Sequence, residues 1–251
     1  MNRITILLMI TLVALCSVSE GQSIDEKSVP AITPDKLYPP ADLVIPYHTD
    51  WSKNNYQKRI GEFKKKPLET NDIVFIGDSI TERITEQGAD WGARFGSSRI
   101  KNRGISGDVT EGVLQRLGEA INIKPQAVFI LIGINDISAS KTPQFIADNI
   151  VKIAAEIKKG SPASKIYVRT ILPTADPKQE DNIKATNEIL RKKATSGSYT
   201  LIDLHKIFAG DKNLLKKELT FDGLHLNDKG YKLWVDSEKK IIDDLVKTSI
   251  K

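Results

Sequence analysis

One cysteine occurs in the whole chain, Cys16, so no intramolecular disulfide can form and the fold must rest on its core. Only three histidines are present, His48, His205 and His225, far apart and without an H-E-x-x-H, so the usual sequence signatures of a metalloenzyme are missing. Neither G-x-G-x-x-G nor G-x-x-x-x-G-K-[ST] follows the first strand-like run, which removes the two common phosphate-cradling loops. Aromatics make up 6% of residues and do not interleave with the basic ones, which argues against a nucleic-acid groove. The same scarcity leaves no segment that reads as a large apolar lid.

What is present suits one globular domain. The 251 residues are 40% hydrophobic and 27% charged, with mean hydropathy −0.27, enough for a core that needs no staples. The net charge of +5 sits in scattered lysine groups such as Lys64-Lys65-Lys66, Lys158-Lys159 and Lys239-Lys240, which read as solvated helix faces. Residues 1–22 read as a signal peptide: Arg3 is the charged start, Ile4 to Cys16 the apolar run, and Ser17 and Ser19 the small residues before cleavage. This predicts export, periplasmic or secreted. Cys16 as a lipidated residue is the alternative and would anchor the protein to a membrane; the bulky Leu15 before it argues against that. Residues 23–46, with Pro30, Pro34, Pro39, Pro40 and Pro46, read as an extended arm with no core of its own. Residues 47–251 form the domain. It opens on a helix whose buried face is Trp51, Tyr56, Ile60 and Phe63, with His48 at the surface before it.

From Ile73 onward strands and helices alternate. Strand-like runs are Ile73–Gly77, Ile100–Arg103, Ala127–Gly133, Lys165–Ile171 and Tyr199–Asp203. Helical periodicity links Val109, Val113, Leu117 and Ile121, then Ile146, Ile150, Ile153 and Ile157 behind a Thr142 cap and Pro143. Further helices carry Ile183, Thr186 and Leu190, and then Tyr231, Trp234, Ile241 and Leu245. Trp91 and Phe95 read as core. Such alternation predicts an α/β fold, a parallel sheet covered on both faces, with its working site at the carboxyl ends of the strands.

The unusual residues collect at those ends. Gly77 closes the first strand, and Ser79 stands where strand turns into helix, a place that exposes a hydroxyl beside a helix N-terminus. An ordinary N-cap serine would look the same. Asn102-Arg103-Gly104-Ile105-Ser106-Gly107-Asp108 follows the second strand, Gly133-Ile134-Asn135-Asp136 the third, and Asp222-Gly223-Leu224-His225 precedes the last helix. Singly these read as turn glycines, caps and a loop histidine; together they put a nucleophile, a base, an acid and donors at one rim. His225 can take the proton of Ser79, and Asp222 can hold the other ring nitrogen. Asp203-Leu204-His205 is the second choice of acid and base. Asp78 and Asp136 read as braces for the loops.

These four blocks resemble the SGNH hydrolases, also called GDSL esterases/lipases, from Ile73 to the final helix. Gly77-Asp78-Ser79-Ile80 resembles the nucleophile block, with Ile80 where the family name has Leu. The wording from Asn102 to Thr110 is most similar to the platelet-activating factor acetylhydrolase branch and related bacterial acetylesterases. The resemblance implies a three-layer α/β/α sandwich, flavodoxin-like, with a five-stranded parallel sheet. It implies a triad of Ser79, Asp222 and His225, and an oxyanion hole built from the N–H of Ser79, the N–H of Gly104 and the amide of Asn135. No cofactor and no metal are called for. The expected activity is hydrolysis of short-chain, acetyl esters, on small molecules or extracellular carbohydrate, with no nucleic-acid partner. The competing readings are a lysophospholipase or lipase of the same family, and a non-catalytic carbohydrate-binding module on the same scaffold.

Overall fold

The computed structural model describes residues 37–84, 90–195, 197 and 199–248. The signal segment, Cys16 and the first part of the proline-rich arm lie outside the described residues. Five strands make one sheet, all parallel, in the order β2-β1-β3-β4-β5: β1 (Ile73–Gly77), β2 (Ile100–Gly104), β3 (Ala127–Leu131), β4 (Lys165–Arg169) and β5 (Thr200–Ile202). The helices are α1 (Asp50–Lys65), α2 (Ser79–Glu82), α3 (Trp91–Phe95), α4 (Thr110–Gln115), α5 (Gly118–Ile123), α6 (Ile134–Ser138), α7 (Pro143–Gly160), α8 (Pro177–Ala194), α9 (Leu204–Phe208) and α10 (Asp228–Lys247). They flank the sheet in a three-layer α/β/α sandwich, the architecture expected from the alternation. Among the described residues no helix is long and apolar enough to cross a membrane.

Alternation along each strand gives the sheet two unlike faces. Phe75 pairs with Phe129, and Phe129 with Tyr167, so the aromatics share one face. Trp91 of α3 and Trp234 of α10 pack there; the Phe75 and Trp91 rings are 5.0 Å apart, and the two indoles 4.8 Å. Val74, Ile76, Val128, Ile130, Ile166 and Val168 point the other way, toward α7 with its buried Ile146, Ile150, Ile153 and Ile157. The α7 helix starts as its sequence dictates: Thr142 Oγ1 accepts from Phe145 N and Pro143 occupies the first turn. Trp91 and Phe95 are core residues.

Three expectations are corrected. The periodic run from Val109 to Ile121 is two short helices, because Arg116 leaves helical geometry (φ −117°, ψ 22°) to send its guanidinium inward. Trp51 does not share the buried face of α1: Tyr56, Ile60 and Phe63 are buried, whereas Trp51 is 62% exposed. The His48 side chain is buried rather than at the surface, with Nε2 3.3 Å from Asp108 Oδ1 and its ring against Tyr56. The described end of the arm packs under α1, where Ile45 joins Tyr56, Ile60, Phe63, Ile105 and Val109 in a small second core.

The aromatic face holds one charged pair. Arg169 donates to Glu238 through Nε at 2.8 Å and Nη2 at 2.6 Å, with both side chains fully buried. Its guanidinium carbon lies 4.1 Å from the Phe75 ring centre and 4.9 Å from that of Trp234. Ring faces and a bidentate carboxylate stand in for part of the water a buried guanidinium has lost, while Nη1 has no hydrogen-bond partner among the described residues. Removing one partner strands the other charge, so Glu238→Ala is expected to destabilise the fold by about 3–5 kcal/mol in urea titration. Replacing both residues with apolar ones should recover most of that loss.

Candidate active site

Strand order places the site. The chain leaves β1 for β2 on one side and later reaches β3 on the other, which opens a crevice at the carboxyl end of β1. The loops after β1, β2 and β3 therefore meet there. Gly77 ends β1 because nothing larger fits: a Cβ would stand 2.2 Å from Thr81 Oγ1 and 2.4 Å from Leu131 O. Asp78 caps α2, its Oδ1 accepting from Ile80 N at 2.9 Å, and Ser79 is the first residue of that helix. The Ser79 N–H has no hydrogen-bond partner among the described residues.

The loop before α10 reaches the same point. His225 Nε2 lies 2.9 Å from Ser79 Oγ, and His225 Nδ1 lies 2.6 Å from Asp222 Oδ2. Asp222 Oδ1 accepts the N–H groups of Leu224 at 2.9 Å and His225 at 2.7 Å. Burial pushes the Asp222 carboxyl up, but the ring and backbone donors outweigh it and hold it below the usual carboxylate range. The loop is stiffened from within: Thr220 Oγ1 donates to His225 O and accepts from Gly223 N, while Gly223 takes φ 85°. The second-choice pair is elsewhere. Asp203 is bound by Arg191 through two contacts of 2.9 Å, and the nearest carboxylate to the buried His205 ring is Glu180, at 4.0 Å.

The expected oxyanion donors divide. Asn135 Nδ2 donates to Asp108 O at 2.8 Å, which fixes the amide and leaves its second hydrogen available. Gly104 does not suit the role implied for it. Its N–H donates to Asn102 Oδ1 at 2.8 Å, and its missing side chain answers to packing, since a Cβ would stand 2.4 Å from Glu82 N. Three residues on, Gly107 has φ 80° and an N–H with no partner among the described residues, in the turn whose Asp108 carbonyl holds Asn135. A second glycine in the same block, followed by a capping-type aspartate, was the available signal.

Sequence reasoning also missed Arg116. Buried, it donates to Gly77 O at 3.0 Å, to Arg103 O at 2.7 Å and to Asp108 Oδ2 at 2.9 Å, so it joins the ends of β1 and β2 to the turn after them. No motif marks it. From outside, Arg59 of α1 bonds Gly104 O and lies 3.1 Å from Glu82, which accepts from Ser106 N. Asp136 accepts from Thr110 N and, at 2.5 Å, from Thr110 Oγ1.

The family model described as GDSL-like lipase/acylhydrolase matches residues 75–233. The chain is 31% identical over 166 residues to platelet-activating factor acetylhydrolase IB subunit alpha2 of Rattus norvegicus, covering 64% of this chain and 71% of that protein. A solved structure from Streptococcus pneumonia, named for platelet activating factor, superposes with TM-score 0.66 at 27% identity, covering 77% of this chain and 95% of that one. An acetyl xylan esterase, AlAXEase, shares the fold with TM-score 0.56 at 22% identity, covering 68% and 99%.

Three carboxylates sit behind the serine. Burial first, and then the neighbouring Asp108 charge, raise Asp78 to about 7 and Asp136 to about 6. An acid that holds its proton more tightly when folded makes stability fall as pH rises through the window between its unfolded and folded values. For Asp78 that window runs from the ordinary carboxylate range to about 7. Asp78→Asn keeps an oxygen for Ile80 N–H and loses the charge. Its urea midpoint should gain on wild type as pH rises through the window and hold constant above it; parallel pH profiles would exclude Asp78 as the titrating group.

Proposed function

Because the chain belongs to the GDSL-like lipase/acylhydrolase family and is an ester-hydrolysing enzyme, we propose that Ser79, His225 and Asp222 carry the reaction on short-chain, acetyl esters. The observation that carries this reading is the His225 ring, which bridges Ser79 Oγ at 2.9 Å and Asp222 at 2.6 Å. In this reading His225 Nε2 accepts the serine proton as Oγ attacks the ester carbonyl. Asp222 holds Nδ1–H, selects the tautomer and stabilises the imidazolium. The tetrahedral oxyanion is bound by the N–H of Ser79, the free amide hydrogen of Asn135 and, in place of Gly104, the N–H of Gly107. Collapse returns the proton from His225 to the departing alkoxide. Water, deprotonated by the same ring, then releases the acyl group.

Acetyl as the acyl group is supported by relatives named acetylhydrolases. The surface supports it as well: of the exposed large hydrophobic side chains among the described residues, only Val44 is aliphatic. Each buried CH₂ contributes only ~0.8 kcal/mol, and a long chain needs apolar walls to gain it. With the amino-terminal segment read as an export signal, acetylated extracellular carbohydrate is the proposed substrate class.

Three measurements test this reading. Asn135→Ala should lower kcat by roughly 10²–10³-fold with KM little changed, because the donor engages only the tetrahedral oxygen; full kcat in a variant that melts early would reduce Asn135 to a turn residue. His225→Ala should lose nearly all activity while His205→Ala keeps its kcat per folded molecule. An acyl-length series should fall from acetyl to octanoyl, and a steady climb would favour the lipase reading.

A further inference from the structure

Four large hydrophobic side chains are exposed among the described residues: Val44, Tyr47, Trp51 and Phe221. Two of them, Trp51 and Phe221, border the proposed site. Trp51 opens α1, and its Cζ3 lies 3.1 Å from where a Cβ would stand on Gly107. Asn55, one turn along, donates to Ser106 O at 3.1 Å and fixes this end of the helix to the same turn. On the histidine side, the Phe221 ring lies 6.1 Å from the His225 ring at 15° between planes. Tyr47 is already engaged, with the Lys141 ammonium 3.3 Å from its ring centre.

The core does not call for Trp51. Its helix buries Tyr56, Ile60 and Phe63 without it, and the other two tryptophans, Trp91 and Trp234, are fully buried. An indole left 62% exposed beside the Gly107 turn forgoes most of the stabilisation its burial would bring. Trp51 and Phe221 are aromatic rather than aliphatic, and the exposed residues beside them in the chain, Thr49, Asp50 and Asp222, are polar. An acyl chain or a lipid surface would want aliphatic walls. The C–H face of a pyranose ring, positive against the electron-rich face of an indole and edged by hydroxyls, fits this surface.

We propose that Trp51 is the platform on which the sugar portion of an acetyl ester stacks, with Phe221 bounding the same mouth on the His225 side. This rests on the acetylesterase reading above and names the part of the substrate that the triad does not touch. Trp51 lies outside the matched span of 75–233.

The test compares acetylated xylo- and cello-oligosaccharides with ethyl acetate, which has no ring to stack. Trp51→Ala should lower the ratio of kcat/KM on the sugar esters to that on ethyl acetate by about tenfold, through KM, and Trp51→Phe should restore most of it. An unchanged ratio overturns the platform, including the case in which both substrates suffer equally through a disturbed turn. In Ser79→Ala, added oligosaccharide should protect the single exposed indole from acrylamide quenching; unaltered quenching also overturns it. A wild-type enzyme that cleaves ethyl acetate but no acetylated oligosaccharide refutes the platform and leaves the esterase standing. Inactivity on ethyl acetate and every sugar acetate refutes both.

Discussion

A single buried guanidinium holds the working end of this molecule together. Arg116 binds the last carbonyl of β1, the Arg103 carbonyl of β2 and the Asp108 carboxylate at once. Gly77 is followed by Asp78 and Ser79, and Asp108 by the helix leading away from the Gly107 turn, so their spacing depends on one rigid planar fork. Arg116 stands where its helix ends, at φ −117° and ψ 22°, and makes all three contacts from there. A lysine there would offer a point charge without the fixed directions.

The same region concentrates negative charge. Asp78, Asp108 and Asp136 lie buried behind the serine, each doing local work: a cap for α2, a partner for Arg116, an acceptor for Thr110. Burial and mutual repulsion raise Asp78 and Asp136 toward neutrality, so part of this order is bought with stability above mildly acid pH. Asp222 is the opposite case, a half-exposed carboxylate whose donors outweigh its burial. The carboxylate that faces the histidine stays charged, as the proposed role of Asp222 beside an imidazolium requires.

Helix α1 gives the scaffold a second layer of control. Asn55, Arg59 and Tyr56 bond Ser106 O, Gly104 O and Gly112 O from outside, while Arg116 grips the same turns from inside. Held on both sides, the turn can keep a glycine at φ 80° with its N–H unpaired. The helix that braces the turn also carries Trp51 to its rim.

The strands, the α7 cap and stripe and the glycine-aspartate-serine elbow were legible in the sequence because each is governed by local rules: buried parallel strands are continuous apolar runs, caps and turns have fixed residue chemistry, and an amphipathic helix keeps its period. Asp222 and His225 were legible too, because they sit three residues apart in one loop. What the tertiary structure decided are matters of what lies across the chain. Gly104 and Gly107 look alike in sequence; only packing against Glu82 and the Asn102 side chain commits one N–H and leaves the other free. Trp51 stands one residue before Ser52, which continues the buried stripe of Tyr56, Ile60 and Phe63, so its side chain is turned about 100° off that face and lies exposed. His48 and Arg116 carry no motif at all. Their burial follows from carboxylates and carbonyls brought close by strands far away in sequence, and no local pattern records a partner that only the folded chain supplies.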